Sequence, residues 1–485
     1  MRSRLLSALI CASAFSSIGH AQTPTLLKDI NPSGGSNLSS LTCIDGTIYF
    51  QADDGAHGAE LWKSDGTMNG TVLVKDVVPG ANSSFPKDFM SVNGSIYFTT
   101  NDLANGVRLW RTDGTEQGTE LALTLDDVPG LLEWITFVSL GDRIFFRGYE
   151  ATTGRELWST DGTPGGTQLF MDINPGALNS GFQNPTVHDG KIYFNASNGT
   201  NGGEPWISDG TVNGTSMIAD IVPGGPGSSP SLFTAVGDLM FFRGATSATG
   251  DELFVTDGTA EGTFLAKDIY LGANSSLPSF LTAHNGSLYL RAYNFNGNYI
   301  WSSDGTPAGT VQVPIPASGY TLAENLCSHD GWLYFSGFNG TSRQLWRTDG
   351  TAEGTEELVL SGSDTPQPLN LSGPMISCTG QLFFRANYAT SIGQELYTLS
   401  SSTAVSNTDS PMIRLHPNPA ADVLSVEGFP PNSALEFHGT DGRLVLAVPA
   451  ASQVDIRALK PGVYVARLLD ATNSIVLQQK VVVDR

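Results

Sequence analysis

Three observations predict an all-β fold for almost all of this 485-residue chain. Short runs rich in Ile, Val, Tyr and Phe are separated by turn residues roughly every 12 positions, a spacing typical of antiparallel β-structure. Glycine supplies 55 of the residues, and charged groups only 15%. No stretch repeats its apolar residues at the 3.6-residue helical period. A third observation is stronger. The Asp of an Asp-Gly-Thr turn recurs at Asp65, Asp113, Asp161, Asp209, Asp257, Asp304 and Asp349, at spacings of 48, 48, 48, 48, 47 and 45 residues. A period of about 40–50 residues built from short strands is the mark of a β-propeller.

The elements follow in chain order. Residues 1–21 read as a signal peptide: Arg2 and Arg4 precede an apolar stretch, and Gly19-His20-Ala21 places small residues before a cut at Gln22. That stretch is too short and Ser-rich to span a bilayer, and no later run is long enough, so the chain is expected not to cross a membrane. Within each unit, strand A is a short run such as Leu41 to Ile44. Strand B is aromatic, as in Ile48-Tyr49-Phe50 and Ile96-Tyr97-Phe98. Strand C carries one aromatic position: Trp62, Trp110, Trp158, Trp206, Phe254, Trp301, Trp346 and Tyr397. Strand D follows the Asp-Gly-Thr turn, as in Thr71 to Val77.

Strands B and C each occur eight times but the turn only seven, because the pattern ends after Tyr397. An extra strand D stands at the start, Leu26-Leu27-Lys28-Asp29-Ile30, and can complete the last unit. Eight four-stranded blades over residues 26–399 are therefore expected. The alternative, seven blades, leaves both terminal strands unpaired.

The repeat residues have structural and functional readings. Asp in an Asp-Gly-Thr turn accepts bonds from amides two residues on, and Gly takes positive φ. Seven carboxylates on one face also suggest Ca²⁺, but one per turn falls short of the six to eight oxygens that ion takes, and the structural role is favoured. No other cofactor is expected. The strand C aromatics are expected to wedge between blades. Antiparallel strands place the A–B and C–D turns on one face and the B–C and D–A loops on the other. The second face varies from unit to unit and is the candidate binding face. Asp54, His57, Asn101, Tyr149, Asn198, Tyr293 and Asn339 represent its loops, with His57 standing alone. His188, His284 and His329 precede A–B turns and read as turn edges. The Glu before Leu-Trp (Glu60, Glu156, Glu204, Glu252, Glu395) recurs too often to mark one active site.

The mature cysteines, Cys43, Cys327 and Cys378, are too sparse for a disulfide framework. They are expected to be small buried apolar residues, with one bond between neighbouring units as the alternative. A net charge of −22 leaves no basic surface for nucleic acid.

Residues 400–411 form a Ser/Thr/Asn-rich linker, and 412–485 a small domain of alternating short strands. There His416-Pro417-Asn418-Pro419-Ala420-Ala421-Asp422 and, later, Asp455 to Arg467 with Pro461-Gly462-Val463-Tyr464 resemble two motifs of the type IX secretion C-terminal sorting domain of Bacteroidota. Lys480-Val481-Val482-Val483 matches that family's end. The resemblance implies a β-sandwich read by the type IX translocon, with sorting residues Pro417, Asn418, Pro419, Gly462 and Tyr464, and a destination outside the cell or on the outer-membrane surface. Ala52 to Trp62 and Gly148 to Trp158 resemble the Trp-docking motif of eight-bladed quinoprotein propellers, which implies inter-blade packing. No quinone cofactor is carried over, since there is no adjacent Cys pair. The 48-residue unit itself resembles the Glu-Leu-Trp-x-x-Asp-Gly-Thr, or hyalin-like, repeat family of exported bacterial proteins. It departs from that pattern at Phe254 and Tyr397 for Trp, and at Arg108, Tyr299 and Gln344 for Glu.

His-Glu-x-x-His and Gly-x-Ser-x-Gly are absent. The expected function is therefore a surface module that binds or adheres to a glycan or protein. The alternative is an extracellular polysaccharide hydrolase or lyase that uses carboxylates in the axial channel.

Overall fold

The computed structural model describes residues 23–102, 104–128, 130–131, 133–314, 321–338, 340, 343–358, 373–387, 393–400, 414–416, 422–427, 433–439, 443–449, 451, 453–469 and 475–483. The expected signal peptide, almost all of the linker, Asn339, Pro417, Asn418 and Pro419 lie outside these residues. The chain divides into two compact units, Met1–Ser402 and Thr403–Arg485.

The first unit contains eight four-stranded antiparallel sheets. Seven are built from consecutive strands A to D. Sheet 1 runs Ser39–Ile44, Thr47–Asp53, Ala59–Ser64, Val72–Lys75. Sheet 2 runs Lys87–Val92, Ser95–Asp102, Gly106–Thr112, Glu120–Leu123, and sheet 3 Glu133–Leu140, Arg143–Glu150, Gly154–Thr160, Gln168–Met171. In sheet 4, strands A and B are Gln183–His188 and Lys191–Ala196. Sheets 5, 6 and 7 open at Ser231–Val236, Ser279–His284 and Thr321–His329. Sheet 8 takes three strands from the end of the repeat, Ile376–Cys378, Gln381–Ala386 and Glu395–Ser400, and its fourth from the start of the unit, Thr23–Lys28. Leu26 pairs with Tyr397, and Thr23 with Ser400.

Side chains alternate across a strand, and strand B uses both of its faces. Phe50 packs into a buried cluster with Trp62, Phe383 and Leu396, which joins sheet 1 to sheet 8. Its neighbour Tyr49 points the other way, into a cluster with Phe89 and Phe98 of sheet 2. The pattern repeats. Trp158 lies among sheet 2 residues such as Tyr97 and Leu109, and Trp206 beside Phe145 and Leu157 of sheet 3. Phe254 joins Tyr193 of sheet 4, Trp301 joins Phe241 of sheet 5, and Trp346 joins Ile300 of sheet 6. Tyr397 joins Tyr334 and Leu345 of sheet 7. Each strand C aromatic is thus driven by burial of its large apolar face against the sheet before it. The indole Nε1 atoms of Trp62, Trp110, Trp158, Trp206 and Trp301 are buried without a hydrogen-bond acceptor among the described residues, so packing rather than hydrogen bonding positions these rings.

The first strands of the sheets touch in succession, sheet 1 to sheet 2 and onward, and the first strand of sheet 8 touches that of sheet 1. At that seam a disulfide joins Cys43 to Cys378 across 335 residues of sequence. This corrects the expectation of three free buried thiols. Pairing between distant repeats brings two strand A residues side by side, leaving Cys327 as the free, buried thiol among the described residues. Further links run between turn edges of successive sheets: His188 bonds the Gly237 carbonyl, His284 the Ser328 hydroxyl and His329 the Ser377 hydroxyl.

The second unit has a three-stranded sheet (Arg414–His416, Val423–Glu427, Gln453–Asp455) and a four-stranded one (Leu444–Pro449, Ala434–His438, Gly462–Leu469, Ile475–Val483). Leu424, Val426 and Val454 of the first share one core with Leu435, Phe437, Ala466, Leu468, Val481 and Val483 of the second. Tyr464 packs against this core while its hydroxyl donates to the Lys460 carbonyl at 2.9 Å.

Candidate functional site

The seven Asp-Gly-Thr turns are built alike. Asp65 Oδ1 accepts from the Thr67 amide at 2.9 Å and from its hydroxyl at 2.7 Å. Thr67 Oγ1 accepts from the Gly70 amide, and Thr71 Oγ1 donates to the Thr67 carbonyl. The same bonds to the Asp recur at Asp113, Asp161, Asp209, Asp257, Asp304 and Asp349. The Thr hydroxyl and amide hold Asp65, Asp113 and Asp209 below the usual carboxylate range. These carboxylates serve the turn.

The closing Gly of the repeat has a packing reason as well. A Cβ on Gly214 would lie 2.1 Å from Asp209 Oδ1. Gly214→Ala is expected to break both Asp209 bonds and lower stability by about 1–3 kcal/mol, read by urea denaturation. Gly225→Ala, where a Cβ meets nothing within 4 Å, is the control. Equal midpoints for the two would refute this account of the turn.

On the opposite face, Asp54 and His57 share the sheet 1 loop, Asn101, Tyr149, Asn198 and Tyr293 stand at sheets 2, 3, 4 and 6, and Asp54 and Asn198 are spent on their own loops. Asp54 accepts from the amides of Ala56 and His57 and lies 2.8 Å from His57 Nδ1. His57 thus has an acidic partner within its own loop. The bond from Asp54 raises the His57 pKa. Asn198 Oδ1 caps the amides of Thr200 and Asn201. Asn101 donates its amide to the Ser84 carbonyl. The Arg155 guanidinium sits over the Tyr149 ring at 4.9 Å, and Tyr293 meets Tyr270 edge-on at 5.3 Å. Among the described residues no group of three or more His, Cys, Asp or Glu side chains could hold a metal.

The buried glutamates anchor the D–A loops from beneath. Glu60 accepts from the Val77 and Ser84 amides at 2.8 Å and from the Ser84 hydroxyl at 2.6 Å. Glu156, Glu204 and Glu252 repeat this arrangement. Glu395 accepts from the Ile30 amide, so the last strand C holds the segment after the first strand as Glu60 holds Val77.

The inner strands carry a feature that sequence reading missed. A β-bulge interrupts strand A in sheets 1 to 7. In sheets 1 to 6 its left-handed residue is Ser40, Asp88, Thr136, Asn184, Leu232 and Phe280, with φ from 52° to 61°. Such conformations are strained for β-branched and bulky residues and collect where function needs them. Beside three of these bulges lies a cavity of about 570 Å³ lined by Lys87, Asp88, Thr136, Arg147, Gln183 and Asn184 among others. Arg147 was passed over because strand B reads as core. The signal was the residue after the Phe-Phe pair of strand B, which is Arg at Arg147, Arg243 and Arg385, with Arg291 in the same place after Tyr289-Leu290.

An all-β body with a propeller-like arrangement and a separate C-terminal module define the class. Residues 414–484 match the family described as the secretion system C-terminal sorting domain. That match supports a type IX cargo protein of Bacteroidota, exported to the cell surface or the extracellular space. No curated protein matches the chain. Among solved structures the chain is similar to PorZ, an essential bacterial surface component of the type-IX secretion system of Porphyromonas gingivalis. Identity is 12% and TM-score 0.40, over 91% of this chain and 64% of that one. Prolyl oligopeptidase B from Galerina marginata matches at 12% and 0.45 over 74% and 56%. The β-propeller domain of the Trilobed protease from Pyrococcus furiosus, which has an open velcro topology, matches at 10% and 0.39 over 69% and 98%. The chain thus spans less than two thirds of the length of PorZ. No helix among the described residues is long and apolar enough to cross a membrane.

Proposed function

We propose that the first unit is a closed eight-bladed β-propeller that binds a glycan or protein partner at its variable loop face, and that the second unit is read by the type IX translocon to deliver it to the surface. The observation that carries the binding reading is the polar cavity where the D–A ends of the inner strands meet. Closure is supported by the shared clusters around the series of sheets, by the pairing of Thr23–Lys28 with Glu395–Ser400, and by the Cys43–Cys378 bond. A disulfide also fits passage through an oxidising periplasm. Uniform turns on one face and variable loops on the other divide scaffold from recognition.

The test expresses three forms in a type IX-competent host: the full chain, a chain lacking residues 412–485, and one with loops 149–154 and 195–203 shortened to tight hairpins. The truncated form should stay in the periplasm while the other two reach the surface. On glycan and surface-protein arrays, the intact chain should bind a ligand that the loop-shortened chain loses. Surface display of the truncated form would refute the delivery role, and unchanged binding after loop shortening would refute the binding face.

A further inference from the structure

We propose that the cavity between the inner strands of sheets 2, 3 and 4 is an anion site that takes the carboxylate of an acidic sugar, a uronate within a short glycan. This rests on the binding face proposed above and names its ligand class.

The Arg147 side chain is half-buried. Arg147 leaves strand B of sheet 3 and lines the cavity. Its Nε is buried and has no hydrogen-bond partner among the described residues. The other strand B arginines are engaged. Arg243 pairs with Asp251 at 2.9 Å, Arg291 with Glu324 at 2.9 Å, and Arg385 donates to the Leu38 carbonyl at 2.6 Å. Glu133, whose charge attracts Arg147, spends its hydrogen bond on Arg155 at 2.6 Å. Burying part of a guanidinium with only the through-space attraction of Glu133 to offset it costs free energy, and burial pushes the Arg147 pKa down. An incoming carboxylate removes that cost and can be gripped by two parallel N–H bonds.

A second cation lies in the same cavity. Lys87 is exposed, and the acidic Asp88 stands 3.8 Å away. Asp88 is itself engaged by the Thr99 hydroxyl at 2.7 Å. In a chain of net charge −22, two cations with one carboxylate make a local positive spot.

The rest of the lining favours a sugar. Asp88, Thr136 and Asn184 are the left-handed bulge residues of three successive sheets, with φ of 53°, 61° and 52°, and all three line the cavity. Three left-handed positions therefore share one wall, and the β-branched Thr136 is the strained one. Thr136, Gln183 and Asn184 offer a hydroxyl and two amides, groups that both donate and accept and so match the vicinal hydroxyls of a pyranose. Asn184 donates to the Pro230 carbonyl at 3.4 Å, which leaves its oxygen to accept.

The test titrates the full-length chain with tri- to pentamers of galacturonic acid, with their methyl esters and with pentaglutamate, by calorimetry. The acid oligomers should bind, and the esters should bind at least tenfold more weakly. Arg147→Gln should weaken acid binding at least tenfold and Lys87→Gln a few-fold. Arg147→Lys should recover part of the loss, and ester binding should stay unchanged in all three variants. Circular dichroism separates these effects from misfolding, and Arg243→Gln, outside the cavity lining, should leave affinity unchanged. The proposal is overturned if acid oligomers fail to bind, if acid and ester bind alike, if Arg147→Gln has no effect, or if pentaglutamate binds as tightly as the uronate oligomer. In each case a loop-dependent ligand from the arrays would leave the broader binding reading standing.

Discussion

Replacing Cys43 and Cys378 together by Ser should lower the stability of the eight-sheet unit by up to about 6 kcal/mol. That figure is the loop-closure entropy for a tie across 335 residues in the chain-entropy account. The large value has a topological cause. Every other join between neighbouring sheets is helped by a chain that runs directly from one to the next. The join between sheets 8 and 1 is made by chain ends that are far apart in sequence. It consists of the pairing of Thr23–Lys28 with Glu395–Ser400, the cluster around Phe50, Trp62 and Phe383, and the disulfide. Once the bond is cut, these non-covalent contacts must close the whole span unaided. Urea denaturation followed by tryptophan fluorescence should show an earlier midpoint for the double variant and for each single variant alike, since either removes the same bond. Reduced wild-type protein should match them. Cys327→Ala is the comparison, because burial pushes that thiol up to about 11 and it lies outside the seam. In the Cys378→Ser variant, alkylation at pH 8 should mark the half-buried Cys43 and miss Cys327. An unshifted midpoint in the double variant would mean that the seam holds without its covalent tie.

The second large effect is a fall in stability as the solution becomes less acidic. Burial pushes Glu60, Glu156 and Glu395 up to about 7, against the partial relief given by their amide and hydroxyl donors. Burial raises Glu204 and Glu252 as well. A carboxyl whose folded pKa exceeds its unfolded value binds its proton more tightly in the native state. Its stabilisation is complete below about pH 4.5 and is lost as pH rises through about 7. With allowance for screening by solvent, each of the three strongly shifted glutamates should contribute roughly 1–2 kcal/mol to the decline. The melting temperature should therefore fall between pH 5 and pH 8. His284 and His329, whose pKa values burial lowers, act the opposite way below about pH 6.5. Comparison with Glu→Gln variants at positions 60, 156 and 395 isolates the carboxyl contribution, because those variants keep an acceptor and lose the titration. Their curves should be flatter than wild type. Parallel curves would show that these glutamates stay ionised throughout. Glu156→Ala should be worse at every pH, since it strands the Ile173 amide at a cost of about 1–3 kcal/mol, while the Ser180 amide keeps the Arg155 carbonyl.

Much of the scaffold was legible because it is written in repeats. The strand C aromatics, the Asp-Gly-Thr spacing and the spare leading strand each fix a strand by residue type, and local rules about turns and alternation suffice to read them. The seam disulfide was not legible. Cys43, Cys327 and Cys378 occupy similar places in their units, and only three-dimensional adjacency tells which two meet. The inner bulges were hidden for a different reason. Thr136, Leu232 and Phe280 hold φ values near 60°, where sequence rules look for Gly or Asn, so surrounding structure overrides local preference. Arg147 was overlooked because its strand is otherwise apolar, and whether an arginine there is paired depends on side chains from neighbouring strands.

The glutamate anchors and self-capped loops have a consequence for how such a molecule diversifies. Val77 and Ser84 are tied down by Glu60 from within their own repeat, and Asn198 folds its loop using that loop's own amides. These two loops thus meet much of their folding requirement within their own repeat. Mutation can rewrite such a loop while the sheets beneath keep their shape, so new affinities can be tried on a frame that selection need not rebuild.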